Sequence, residues 1–148
     1  IMITLNELQD QWKADCKIDE LNLGSESTKT PELHSKYLNH LTTFKLQLRK
    51  YESQMYSLRR IKWRYFRGEL SREELDNLGW EQYLGPQPLK NEMQEYLDSD
   101  SDIIKIVDKI EYIKACLYQC EFVMKSLNSR TWDIKNAIEF MKFTNGLM

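Results

Sequence analysis

The stretch Arg59-Arg60-Ile61-Lys62-Trp63-Arg64-Tyr65-Phe66-Arg67 places five permanent cations and three aromatic rings in nine positions. Cations can follow a phosphate backbone, and flat rings accept unstacked bases without reading their identity, which is the chemistry of a single-stranded nucleic-acid site. Each engaged ring contributes roughly 1–3 kcal/mol per base. A plainer use of the same residues is arginine stems packed along a helix with their heads in water. The whole chain carries formal net charge −2 and a sequence pI near 5.8, so positive charge is concentrated here instead of being spread over the surface. The candidate nucleic-acid-binding residues are therefore Arg59, Arg60, Lys62, Trp63, Arg64, Tyr65, Phe66 and Arg67.

Other chemistries find little footing. Cys16, Cys116 and Cys120 are odd in number and form no CxxC pair, and they read as reduced thiols acting as small hydrophobes. His34 and His40 lack the further ligands a structural zinc site requires. Asp98-Ser99-Asp100-Ser101-Asp102 resembles the start of a calcium loop, but Ile103 stands where glycine is needed and Lys109 where glutamate is needed. A helix cap explains that run better. No GxxxxGK[ST], GxSxG or HExxH occurs, so the chain reads as a binding protein and not an enzyme, with no cofactor or metal. No apolar run approaches the length of a membrane span and no signal-peptide pattern is present, which together with the thiols points to a cytoplasmic location. Ile1, ahead of Met2, is read as a remnant.

The elements that position the basic stretch are helical. Thr4-x-x-Glu7 opens a helix that uses Leu5, Leu8 and Trp12 and fades near Asp15. Residues 22–29 are polar and loop-like, and Thr30-Pro31 is expected to start the next helix, with proline at its first position. Tyr37, Leu41, Phe44, Leu48, Tyr51, Met55 and Leu58 then alternate steps of four and three, a coiled-coil seam. Lys62 and Tyr65 continue the line, so apolar packing is expected to stop near Leu58, where the basic stretch begins.

Ser71-x-x-Glu74 opens a short helix closed by Gly79, and residues 79–88 with two glycines and two prolines form a connector. A further short helix carries Met93 and Leu97, and its acidic neighbourhood from Glu92 to Asp102 suits the basic surface of a protein partner. The second long helix repeats the seam with Ile106, Ile110, Ile113, Leu117, Cys120, Met124 and Leu127. A kink or break is expected at Asn128-Ser129-Arg130-Thr131, before a terminal segment rich in aromatics. Two narrow apolar stripes in a chain only 41% hydrophobic favour self-association over a closed monomer.

Several blocks, taken in order, are similar to one known family. They are Leu5-x-x-Leu8-Gln9 with Ile18-Asp19, Leu33-His34-Ser35-Lys36-Tyr37-Leu38-Asn39-His40, the basic stretch from Arg60 to Gly68, Leu97 to Lys105, and Lys125-Ser126-Leu127-x-Ser129-Arg130 followed by Ile134-Lys135-x-x-Ile138. Together they resemble the UvsY-like recombination mediators of T-even-type phages, with an insertion around residues 70–88. The resemblance implies an all-α protomer, two long amphipathic helices plus short ones, with a minor β element allowed near 63–84. It implies a ring-like homo-oligomer of about six or seven subunits, formed through the C-terminal part. Residues 1–97 are expected to form the single-stranded-DNA-binding region, and 98–148 the oligomerisation region through Ile110, Ile113, Leu117, Met124, Trp132, Ile134, Ile138 and Met141. Partners implied are single-stranded DNA, a RecA-type recombinase to be loaded, and the single-strand-binding protein it displaces, in a host-cell cytoplasm. The family's DNA-contacting basic positions fall on Arg60 and Lys62, with the order of Lys and Arg exchanged. The rival readings are a helical scaffold and an RNA-binding protein, because cation–aromatic surfaces do not inherently reject a 2′-hydroxyl.

Overall fold

The computed structural model describes residues 2–146, and among them five helices follow one another. They are α1 (Leu5–Asp15), α2 (Leu23–Phe66), α3 (Arg72–Leu78), α4 (Met93–Asp98) and α5 (Ser101–Thr144). Local chemistry sets most of the boundaries. Thr4 Oγ1 accepts the Glu7 N–H at the start of α1. At α3, the Ser71 hydroxyl accepts the Glu74 N–H while the Glu74 carboxylate accepts the Ser71 N–H, and Gly79 closes the helix at φ 70°. That left-handed conformation is open to glycine without penalty. The Asp100 carboxylate accepts the N–H groups of Asp102 and Ile103 and so caps α5.

Among the described residues there is no strand, which corrects the minor β element allowed near 63–84. Residues 63–66 finish α2, residues 72–78 form α3, and side chains hold the connector that follows. Tyr65 donates to the Glu81 carbonyl and Tyr83 to the Pro86 carbonyl, each at 2.8 Å, so backbone acceptors are met without a ladder.

The start of α2 also differs from expectation. Residues 23–29 are helical, and Pro31 lies inside the helix. An interior proline offers no N–H to the carbonyl four residues back and costs about 3 kcal/mol. Tertiary partners offset this. Arg130, on α5, donates to the Glu26 carboxylate at 2.8 Å, to the Glu26 carbonyl at 3.2 Å and to Thr30 Oγ1 at 3.1 Å. The Lys29 ammonium, then Arg130, hold the Glu26 carboxyl below its ordinary range. The same anchor explains why α5 runs unbroken through Asn128–Thr131, where a kink was expected.

The described chain packs as two units. The first comprises residues up to Gln47 and those from Ile113 onward, and the second is Leu48–Tyr112. These units cut across the functional division at 97/98, because each long helix contributes to both. In the first unit α1 lies on α2 through Trp12 and Tyr37, whose rings meet edge-on at 5.5 Å. The Tyr37 hydroxyl donates to Asp15 at 2.8 Å. Its core adds Leu8, Leu23, Phe44, Ile113, Cys116, Cys120, Val123, Leu127 and Ile134, all buried. Burial pushes the Cys120 thiol up to about 11, which leaves no reactive thiolate near neutrality. The second unit closes over Phe66, Leu75, Met93, Leu97, Ile103 and Ile110.

Leu97 is 1% exposed, so Leu97→Ala is expected to cost about 2–5 kcal/mol by denaturant unfolding. Leu84→Ala, at a position 90% exposed, should stay within about 0.5 kcal/mol of the parent.

Candidate nucleic-acid interface

Helical geometry sorts the basic–aromatic stretch into two rows. At about 100° per residue, Leu58, Lys62, Tyr65 and Phe66 share one side of α2, and Tyr56, Arg59, Arg60, Trp63 and Arg64 share the other, with Arg67 just beyond the helix end. The inner row is packed. Phe66 is buried with Met93, Leu97 and Ile103, and meets Tyr83 edge-on at 5.1 Å. Tyr65 stands 5.3 Å from Trp80. Packing thus continues past Leu58 to the end of the helix, because the segment 70–88 supplies Trp80 and Tyr83 as its far wall. That is what this segment does structurally.

Lys62 is the centre of this row. Its ammonium is 3.1 Å from Asp100 Oδ1 and 2.8 Å from Asp102 Oδ2, and lies 4.2 Å from the Trp80 ring centroid. Burial alone would pull its pKa down. The hydrogen bonds that it donates to Asp102 and Asp100 outweigh burial and hold it above the ordinary lysine value. Lys62 in turn holds the Asp102 carboxyl below its usual range. Of the residues expected to face a strand, Lys62 is thus neutralised indoors and the rings of Tyr65 and Phe66 are walled in. The acidic run has uses within the chain. Asp98, Asp100 and Asp102 serve Arg59 and Lys62, and Glu92 accepts the Leu89 N–H.

The outer row borders an open groove of about 490 Å³ lined by Tyr56, Arg59, Arg60, Trp63, Arg64 and Glu69. Arg60 is exposed and has no ion-pair partner among the described residues. Its neighbours are partly committed. Arg59 pairs with Asp98 at 3.1 Å, and Arg67 with Glu69 at 2.8 Å. Arg64 forms a two-pronged pair with Glu74, at 2.8 and 3.1 Å, which holds the Glu74 carboxyl below its ordinary range. The groove brings Arg59, Arg60, Trp63 and Arg64 together and excludes Lys62, Tyr65 and Phe66. Tyr56, 60% exposed, escaped the reading of residues 59–67. Its signal was its spacing, four before Arg60 and seven before Trp63.

The residues expected to join subunits fall in two classes. Ile110, Ile113, Leu117 and Ile134 are buried in the chain's own packing, while Met124 and Ile138 are half-buried. Trp132 and Met141 are exposed, as are Tyr118, Phe122, Phe140 and Phe143 on the same helix. No helix among the described residues is long and apolar enough to cross a membrane.

A family model described as "Recombination, repair and ssDNA binding protein UvsY" matches residues 11–147. The recombination protein uvsY of Enterobacteria phage T4 is 27% identical over 142 residues, spanning 96% of this chain and 98% of that protein. One crystal structure of the bacteriophage T4 recombination mediator protein UvsY superposes with a TM-score of 0.83 at 24% identity, over 97% of this chain and 98% of that one. Another lattice form gives 0.78 at 25% identity, over 93% and 98%.

The two rows should respond differently to mutation. Lys62→Met leaves Asp100 facing apolar surroundings and should lower the unfolding midpoint, whereas Arg60→Ala should not move it. The depressed Asp102 carboxyl contributes stability above the unfolded value near about 3.9, lost as pH falls through the lower folded value. Unfolding midpoints measured from neutral pH into that acid range should show a shallower acid loss for Lys62→Met than for the parent.

Proposed function

This chain belongs to the UvsY family of recombination, repair and single-stranded-DNA-binding proteins, and on that premise we propose that it binds single-stranded DNA in the groove beside Arg60 and Trp63 and acts as a recombination mediator. The observation that carries the reading is the free guanidinium of Arg60 beside the Trp63 ring, which packs partly against the inner cluster and partly borders an open groove, with Tyr56 on its rim. A cation one helical turn from a ring lets a phosphate dock while the neighbouring base stacks. Arg59, Arg64 and Arg67 stand ready as further phosphate ligands, at the cost of leaving their carboxylates. Lys62, Tyr65 and Phe66 contribute by fixing the row that faces the strand.

Such a site is modest alone, which suits a protein that must pass its strand on. Repeated around a ring-like homo-oligomer, it gains by effective concentration, since a strand held at one copy is delivered to the next. A strand held in this way is drawn from a single-strand-binding protein and presented to a RecA-type recombinase for loading. The C-terminal region 98–148 supplies the subunit contacts, through its exposed residues Trp132, Met141, Phe122 and Phe140. Ile110, Ile113, Leu117 and Ile134 support them from within the protomer.

Binding to single-stranded DNA, measured over a range of salt, tests the site. Arg60→Ala should weaken binding and flatten the salt slope by about 0.7, the share of one released phosphate contact on a single strand. Trp63→Ala should cost about 1–3 kcal/mol with the slope unchanged, since stacking releases few counterions. Unchanged affinity in both variants would leave the groove without a strand and favour a plain scaffold. Equal affinity for matched RNA would turn the assignment toward RNA. Trp132→Ser combined with Phe122→Ser should yield smaller species by native mass while the unfolding midpoint stays close to that of the parent, because both side chains are exposed. A full-size assembly would move the subunit contact elsewhere.

A further inference from the structure

Arg64 lines the groove, yet its guanidinium is already occupied. Nη1 donates to Glu74 Oε2 at 2.8 Å and Nη2 to Glu74 Oε1 at 3.1 Å, the two-pronged geometry by which arginine also grips a phosphate. Glu74 is not free to drift. It is the third residue of the α3 capping box, and its Oε1 accepts the Ser71 N–H at 3.2 Å. A carboxylate is thus held by a helix cap at the place where a phosphate oxygen pair would sit. Arg64 is one turn beyond Arg60 on the same face, about 6 Å along the axis, so a strand docked at Arg60 carries its next phosphate toward Arg64.

Resting on the groove reading above, we infer that Glu74 is a built-in competitor for DNA phosphate that sets the strength of this site. Glu74 belongs to the segment 70–88, so that segment both walls in the inner row and tunes the outer one. In the resting protein Arg64 is neutralised and Arg60 is the available cation. A phosphate engages Arg64 only by displacing the carboxylate, and the exchange gives little net gain. The strand is then held firmly enough to be gathered by several copies and loosely enough to be released from each.

Glu74→Gln separates this role from the structural one. Glutamine still accepts the Ser71 N–H, so the capping box and the fold persist. The competing charge is gone. With the full-length protein and a short oligothymidylate, Glu74→Gln should bind roughly two- to fivefold more tightly, the scale of one exposed ion pair. Its salt slope should steepen by about 0.7, because Arg64 now meets a phosphate. Arg64→Ala should abolish the gain in the Glu74→Gln background. Glu73→Gln, the same charge change one residue away on an exposed side chain, is the control. An equal gain from Glu73→Gln, or a gain that survives Arg64→Ala, would show general electrostatics at work and overturn the proposal. If Arg60→Ala weakens binding while Glu74→Gln leaves it unchanged, this inference fails and the groove stands. If Arg60→Ala has no effect, the groove reading itself fails, and this inference with it.

Discussion

The second unit is organised around a single buried ammonium. Lys62 sits between two carboxylates, from the cap of α5 and its first turn, and under the face of Trp80 from the connector. A buried charge is tolerated only when its partners are fixed, and removing one partner strands the other. The clasp therefore ties the end of α2, the beginning of α5 and the segment between them at one point. It also sets the rotation of α2 about its own axis. A slip of one residue would turn the helix by about 100° and exchange walled-in rings for exposed ones. The accessibility of Arg60 and Trp63 is thus a consequence of where Lys62 is held.

Charge around the groove is balanced at short range. Arg59, Arg64 and Arg67 each carry an intrachain carboxylate, supplied by α4, by α3 and by the turn after Gly68. This reconciles a dense basic stretch with an acidic chain, because most of the positive charge is answered within one unit. What remains for a ligand is one free guanidinium, two rings and a set of arginines engaged in exchangeable pairs.

Where structure is dictated by neighbours in sequence, the residues announced it. The capping box at Ser71 and Glu74, the stop at Gly79, the Asp100 cap and both four–three seams depend on spacing alone, and each appears in the fold. What escaped depends on partners far along the chain. Residues 22–29 look like a loop because Arg130, which stabilises that turn, is more than a hundred positions away. Lys62 reads as a phosphate ligand because composition does not say which face of a helix it takes. Its place on the seam line was visible, but a lysine on a seam is no sign of burial until Asp100 and Asp102 are brought beside it. The same holds for Ile110, Ile113 and Leu117, since a seam does not reveal whether the chain itself or another copy covers it.

The pairing of Arg130 with Glu26 and Thr30 bears on the order in which the molecule can be made. The second unit is continuous in sequence, so its packing partners emerge from the ribosome together. The first unit joins segments on either side of the second, and its core needs Val123, Leu127 and Ile134, which are synthesised after it. Until those residues appear, Leu23, Tyr37 and Phe44 have no lid, and the turn around Pro31 lacks its arginine. Contacts of such long separation form late, and the surfaces awaiting them are prone to aggregation meanwhile. Translation that stalls or ends short would then leave a folded middle flanked by an adhesive amino-terminal arm.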